Sequence, residues 1–197
     1  LGDVYKRQKH FLLTISAAEW RYRSCDMSRA VYLCGFMGCG KTTVGRVLAD
    51  LLGTAYADMD AYIEKSEKMS IPQIFSDKGE GYFRDAETRA VEEMGKNGGV
   101  IACGGGAMLR EKNAELAAKN GVVVYIDTPY DICWERIKDD ANRPIVAVNT
   151  KESLGELYEK RKALYTAYSA FRADGTGSPS QIAAQIAEFI KKVNITR

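Results

Sequence analysis

The stretch GFMGCGKT, residues 35–42, constrains this chain more than any other. It follows an apolar run over residues 30–34 and precedes TVGRVLAD, whose apolar residues recur at helical spacing. Strand, glycine turn and helix therefore succeed one another. The G-x-x-x-x-G-K-T spacing lets the backbone N–H groups of residues 38–42 face inward around phosphate oxygens, and the helix N-terminus adds partial positive charge there. In that arrangement the Lys41 amine reaches the β- and γ-phosphates and the Thr42 hydroxyl ligates Mg²⁺. The loop does not say what accepts the phosphate.

Composition narrows the chemistry. At 197 residues, 46% hydrophobic and 27% charged, with no stretch long enough to span a membrane, the chain reads as one ordinary soluble domain. The five cysteines, Cys25, Cys34, Cys39, Cys103 and Cys133, include no C-x-x-C pair, and His10 is the sole histidine. A zinc site is disfavoured, and thiols in a reducing cytoplasm are the simpler reading. General-base work in the main body falls to carboxylates.

The first 26 residues are expected to be a non-native or disordered extension, because DVYKRQ resembles a translated transposon end and Met27 stands just before the first strand. Their apolar run is too short for a secretory signal. They hold five Lys/Arg against three Asp/Glu, so 23 basic and 23 acidic residues remain in 27–197. An electroneutral body gives no sign of a nucleic-acid or acidic-membrane partner.

From residue 27 onward, strand-like runs at 31–35, 55–58, 99–103, 122–127 and 170–173 alternate with helical patterns at 41–52, 80–94, 112–120, 131–138, 151–168 and 179–193. The last helix has a marked start, with Ser178 as N-cap, Pro179 at the first position and Gln181 in capping-box register. Alternation of this kind predicts an α/β domain with a parallel sheet covered on both faces. Ligands then gather beyond the carboxyl ends of the strands.

Those ends carry the polar candidates. Asp58 and Asp60 are spaced to share one face of an extended chain, and a carboxylate pair suits phosphoryl transfer: one for the Mg²⁺ shell, one for the acceptor hydroxyl. The bland alternative makes Asp60 a helix cap and Asp58 merely exposed. Arg84 and Glu87 share a helical face, which a solvated ion pair would explain. Gly104, Gly105 and Gly106 let a ligand lie against backbone N–H groups. Arg136, and Arg143 in a polar interruption, suggest a mobile lid at about 139–149 carrying an arginine toward the phosphoryl group. Lys160, Arg161 and Lys162 alone read as a basic solvated face.

Together these residues resemble shikimate kinase along nearly all of residues 27–192. The likeness lies in six motifs in register: G-x-x-G-x-G-K-T-x-x-G-R from Gly35 to Arg46, D-x-D-x-x-I-E from Asp58 to Glu64, F-R-x-x-E from Phe83 to Glu87, G-G-G at 104–106, R-P at Arg143, and R-x-x-L-Y from Arg161 to Tyr165. The resemblance implies a three-layer α/β/α P-loop kinase fold with a five-stranded parallel sheet of order 2-3-1-4-5, using Mg²⁺ and ATP, in a cytoplasmic monomer. It implies that Gly38, Cys39, Gly40, Lys41, Thr42, Thr43, Arg136 and Arg143 contact the nucleotide and that Thr42, with Asp58 through water, serves the metal. Asp60 would contact the acceptor hydroxyl of shikimate; Arg84, oriented by Glu87, and Arg161 would hold its carboxylate beside Gly104, Gly105 and Gly106. Lys41, Asp60 and Arg143 would be the catalytic set. Two departures stand out: Ile145 and Val146 follow the lid R-P where the family most often has leucines, and Thr42 replaces a more frequent serine.

The mechanism does not explain why a cysteine stands at Cys39, and a loop thiol predicts inactivation by alkylation with protection by ATP. The rival readings are a P-loop ATPase or nucleotide-switched module using Asp127, at the end of the apolar run 122–127, and another small-molecule kinase of gluconate or nucleoside monophosphate type. Thr128 after Asp127 removes the usual water-activating glutamate, and paired arginines with G-G-G favour a carboxylated acceptor.

Overall fold

Every residue of the strand Ala30–Cys34 (β1) is buried, so it must be covered on both faces. Alternate side chains show what covers it. Tyr32 sends its hydroxyl to the Val91 carbonyl at 2.8 Å in the long helix Ile71–Asn97, whereas Leu33 packs at Gly45 in the helix Lys41–Leu52. Those two helices therefore lie on opposite faces of one sheet.

This computed structural model describes residues 29–139 and 149–193. After β1 come α1 (Lys41–Leu52), β2 (Tyr56–Asp58), α2 (Met59–Glu67), α3 (Ile71–Asn97), β3 (Gly99–Ala102), a 3₁₀ turn (Ala107–Leu109), α4 (Glu111–Asn120), β4 (Gly121–Asp127), α5 (Tyr130–Ile137), α6 (Lys151–Tyr168), β5 (Phe171–Asp174) and α7 (Pro179–Lys192). The strands form one sheet of order β2-β3-β1-β4-β5, parallel throughout, with Ala30 level with Gly99 on one side and Gly121 on the other. The chain leaves β1 toward β2 and β3, then returns to place β4 and β5 on the far side. That reversal opens a crevice at the carboxyl end of β1, where the glycine turn begins.

The expected strands all form, with ends shifted by a residue or two, and Ser178 and Gln181 make the expected capping box at α7. Two helical stretches escaped the sequence pattern. The chain turns helical at Met59, so Asp58 and Asp60 do not share an extended segment; the Asp58 carboxylate caps α2, accepting from the Asp60 and Ala61 amides at 3.1 and 3.3 Å. The cap is thus Asp58, not Asp60. Helix α3 starts at residue 71, well before residue 80, behind a Ser70–Gln73 capping box; its helical backbone breaks at Gly79 (φ 81°, ψ 171°), just before the expected start. The first 26 residues lie outside the described residues.

Gly95 in α3 sits where Tyr32 crosses from sheet to helix; a Cβ there would stand 2.1 Å from the Tyr32 hydroxyl oxygen. Helix propensity alone would make Gly95→Ala stabilising by about 1 kcal/mol. The clash with a buried, hydrogen-bonded ring reverses the sign, and a loss of about 1–3 kcal/mol is expected by urea unfolding; a gain would mean that Tyr32 does not hold α3 in this way.

Candidate active site

The turn after β1 needs backbone shapes that favour glycine. Gly35, Gly38 and Gly40 have φ of 146°, 78° and 100°, and a Cβ on Gly38 would lie 2.7 Å from the Cys133 carbonyl in α5. Gly40 is the N-cap of α1 and brings no capping side chain, so the first-turn amides face the crevice as an anion site. The Lys41 amine donates to the Gly35 and Phe36 carbonyls at 2.9 and 3.1 Å, and Arg136 donates to the Gly38 carbonyl at 3.0 Å. Gly38, Gly40, Lys41, Thr42, Thr43 and Arg136 line a cleft of about 320 Å³ together with Asp58, Asp60 and Gly105. Burial raises the Tyr56 phenol, opposed by the adjacent Thr42 hydroxyl, and the same phenol lies 3.4 Å from Asp58. Tyr56 therefore joins the two expected metal-side oxygens. Two protein oxygens suit Mg²⁺, which completes its octahedron with water and phosphate; among the described residues no cluster of three ligating His, Cys, Asp or Glu side chains exists.

At Gly105 the cleft adjoins the glycine triplet after β3. A Cβ on Gly104 would meet an Asp60 carboxylate oxygen at 2.6 Å, and one on Gly106 would meet an Arg84 guanidinium nitrogen at 2.5 Å. At Gly105 the same atom would come to 3.8 Å from Arg161. One carboxylate and two guanidiniums thus converge on three residues without side chains. The expected solvated pair is not what forms at Glu87, which is 1% exposed and holds Arg84 at 2.8 Å, while Glu80 takes the Arg84 Nε and Nη2 protons at 3.1 and 2.9 Å. The remaining guanidinium protons are left for a ligand.

Residues to which no role was assigned from the sequence hold this end in place. The buried Tyr165 hydroxyl donates to the Gly105 carbonyl at 2.5 Å, its ring packed on Tyr125. Asn113, fully buried, donates to the Ala107 carbonyl at 2.8 Å and accepts from the Thr88 hydroxyl at 2.7 Å, which braces the turn after the triplet. Tyr165 had a signal: it follows Arg161 by one helical turn. Asn113 and Thr88 had none.

Asp127 does not join the cleft. It is 8% exposed, accepts from Tyr125 at 2.8 Å, and pairs with Arg172 and, at 3.8 Å, Lys162. A carboxylate so engaged is not the metal-side aspartate that the ATPase reading needs. Lys162 accordingly is no free solvated cation. The Cys39 thiol is 1% exposed, 3.7 Å from the Lys41 amine, and does not line the cleft; the alkylation expectation assumed an accessible thiol and loses its basis. Arg143 and nearly all of the expected lid lie outside the described residues.

A phosphate loop at the switch point of a parallel sheet, sharing its cleft with Asp60 and Gly105 and with two arginines seated on the adjoining glycine triplet, defines a P-loop kinase of small molecules. The family described as shikimate kinase matches residues 37–191. A curated shikimate kinase of Persephonella marina is 44% identical over 160 residues, covering 80% of this chain and 96% of its own length. The shikimate kinase of Acinetobacter baumannii, solved in complex with shikimate, superposes with a TM-score of 0.77 at 36% identity, over 83% of this chain and 93% of that one. The shikimate kinase of Aquifex aeolicus gives 0.73 at 33% identity, over 82% and 96%. The chain belongs to the shikimate kinase family. It is an ATP-dependent phosphotransferase, and no helix among the described residues is long and apolar enough to cross a membrane.

Burial pushes the Glu87 carboxyl above the ordinary value of 4.5, with Arg84 pulling the other way. A carboxyl with a raised folded pKa favours folding most at low pH, and that contribution is lost as pH rises through the folded value. Glu87→Gln lacks it. The stability of the variant minus that of the wild type is expected to rise as pH is raised from below the ordinary carboxyl value of 4.5 in denaturant titrations; a flat difference would count against a desolvated carboxyl.

Proposed function

We propose how these residues divide the reaction of the family, transfer of the γ-phosphoryl group of ATP to the 3-hydroxyl of shikimate. The convergence of Asp60, Arg84 and Arg161 on Gly104, Gly105 and Gly106, inside reach of the phosphate loop, carries the reading. Two guanidiniums suit a planar carboxylate through paired, charge-assisted hydrogen bonds, and the turn between them accepts a ring against bare backbone. Glu87 and Glu80 fix the plane of Arg84. Asp60, on the cleft side of the same turn, orients the acceptor hydroxyl and takes its proton as the O–P bond forms.

At the other end the amides of residues 38–42 and the Lys41 amine hold the phosphates in line with that hydroxyl, and Arg136 flanks the nucleotide. Thr42, and Asp58 through water, would hold Mg²⁺, which neutralises charge on the transferring group. Thr43 completes the nucleotide contacts. On this reading the enzyme acts in the cytoplasm as a monomer, and a monomer mass on a sizing column checks the second point.

ADP release from Mg-ATP is expected with shikimate and not with gluconate, a nucleoside monophosphate or no acceptor. Asp60→Asn should lower kcat by about 10²–10⁴ while the KM for ATP stays nearly constant, since only the proton transfer is removed. Full turnover in Asp60→Asn, or release without an acceptor, would sink the assignment. Tyr165→Phe removes the hold on Gly105; the KM for shikimate should rise about tenfold, roughly the worth of one buried hydrogen bond, with the KM for ATP unchanged. Equal changes in both constants would mark Tyr165 as a general packing residue.

A further inference from the structure

Beyond the ligand contacts, the side chain of Thr128 ties the phosphate loop to the end of β4. Thr128 follows β4 and is 1% exposed. Its hydroxyl donates to the Cys39 carbonyl at 3.0 Å, and the Gly175 carbonyl, at 3.3 Å, is the alternative acceptor of the same proton. Its main chain is fixed on the other side. The Thr128 carbonyl accepts from the Tyr158 hydroxyl at 3.1 Å and from the Cys133 thiol at 3.6 Å. The turn after β5 presses on the hydroxyl so closely that a Cβ on Gly175 would overlap it, and the Gly175 amide donates to the Asp127 carbonyl at 3.0 Å. The rotor thus has two acceptors, of which the Cys39 carbonyl is the nearer.

Cys39 and Gly40 share a trans, planar peptide, in which the carbonyl and the following N–H point opposite ways. Drawing the Cys39 oxygen toward β4 therefore turns the Gly40 N–H toward the cleft, which Gly40 lines. Nothing in the Gly40 side chain enforces that orientation. With φ at 100° a glycine pays little to rotate the peptide, so the orientation has to be imposed from outside the loop. We propose that Thr128 is a positioning residue for phosphate recognition: its hydroxyl locks the Cys39–Gly40 peptide with the N–H aimed at the nucleotide phosphates, and links that peptide to the turn after β5. Thr128 touches no substrate in this scheme. It acts through Gly40 alone, so its loss must appear at the phosphate end of the cleft and leave the glycine triplet unaffected.

The inference rests on reading residues 35–42 as the ATP phosphate site, and the experiment separates the two. ATP and adenosine affinities are measured by calorimetry, and both KM values by coupled assay, for the wild type, Lys41→Ala, Thr128→Val and Thr128→Ser. Thr128→Val keeps the shape without the donor; it should weaken ATP about tenfold, leave adenosine within about twofold and leave the KM for shikimate within about twofold, consistent with loss of one hydrogen bond. Thr128→Ser keeps the hydroxyl and should bind ATP like the wild type even if its melting temperature falls, a separation that a purely structural role would not give. If the valine protein does not fold, Thr128→Cys, whose thiol is a weaker donor of similar volume, should fall between serine and wild type on one side and Lys41→Ala on the other in ATP affinity. Unchanged ATP affinity in Thr128→Val, or in Thr128→Cys, beside a loss in Lys41→Ala overturns the role of Thr128. Parallel losses for ATP, adenosine and shikimate overturn it as well. Undiminished ATP affinity in Lys41→Ala would instead overturn the phosphate-site reading itself.

Discussion

The packing of β1 is the constraint from which the rest of the molecule follows. A strand buried on both faces has no side chain free to meet a ligand, its one hydroxyl being spent on the Val91 carbonyl, so the chain can turn to ligands only where the strand stops. It stops at Cys34, and in the turn that follows Gly35, Gly38 and Gly40 take positive φ, which leaves amides facing the crevice. The sheet order puts β3 and β4 on either side of that point. The two neighbouring strands then deliver what the turn lacks: the glycine triplet from β3 and Thr128 from β4.

Both ligands of the family's reaction are anions, and the cleft handles the repulsion by separating the receptors. Amides, Lys41 and Arg136 gather at one end; Arg84 and Arg161 gather at the other. Asp58 and Asp60 lie between them, one tied to the start of α2 and the other resting on Gly104. Arg84, Lys41 and Arg136 are themselves held. Glu87 and Glu80 orient Arg84, and loop carbonyls hold Lys41 and Arg136, so little reorganisation is required when charge arrives.

The phosphate loop, the five strands and the closing capping box were legible because each is written in adjacent residues: a glycine spacing, an apolar run, a Ser-Pro-x-Gln start. Helix α2 was not, because an aspartate followed by Met, Asp and Ala reads equally well as an extended carboxylate pair, and only the Asp58 cap decides between them. The depth of Glu87 was hidden for a related reason. A three-residue spacing says that Arg84 and Glu87 meet, but not that α4 and the glycine triplet close over them. Thr128, Asn113 and Tyr165 make bonds across 89, 6 and 60 residues of sequence, and of these only Tyr165 sat in a recognised motif.

The glycine triplet has a consequence for how such a site can change over time. Its wall is main chain, and a methyl group at Gly104 or Gly106 would drive Asp60 or Arg84 from its place. Most enzymes widen their substrate range by exchanging wall side chains, one at a time and at small cost. At the triplet there are none to exchange. A new acceptor would have to be reached through Arg84 or Arg161, each of which also carries the grip on the old one, so intermediate steps toward another substrate pass through a protein that binds neither well.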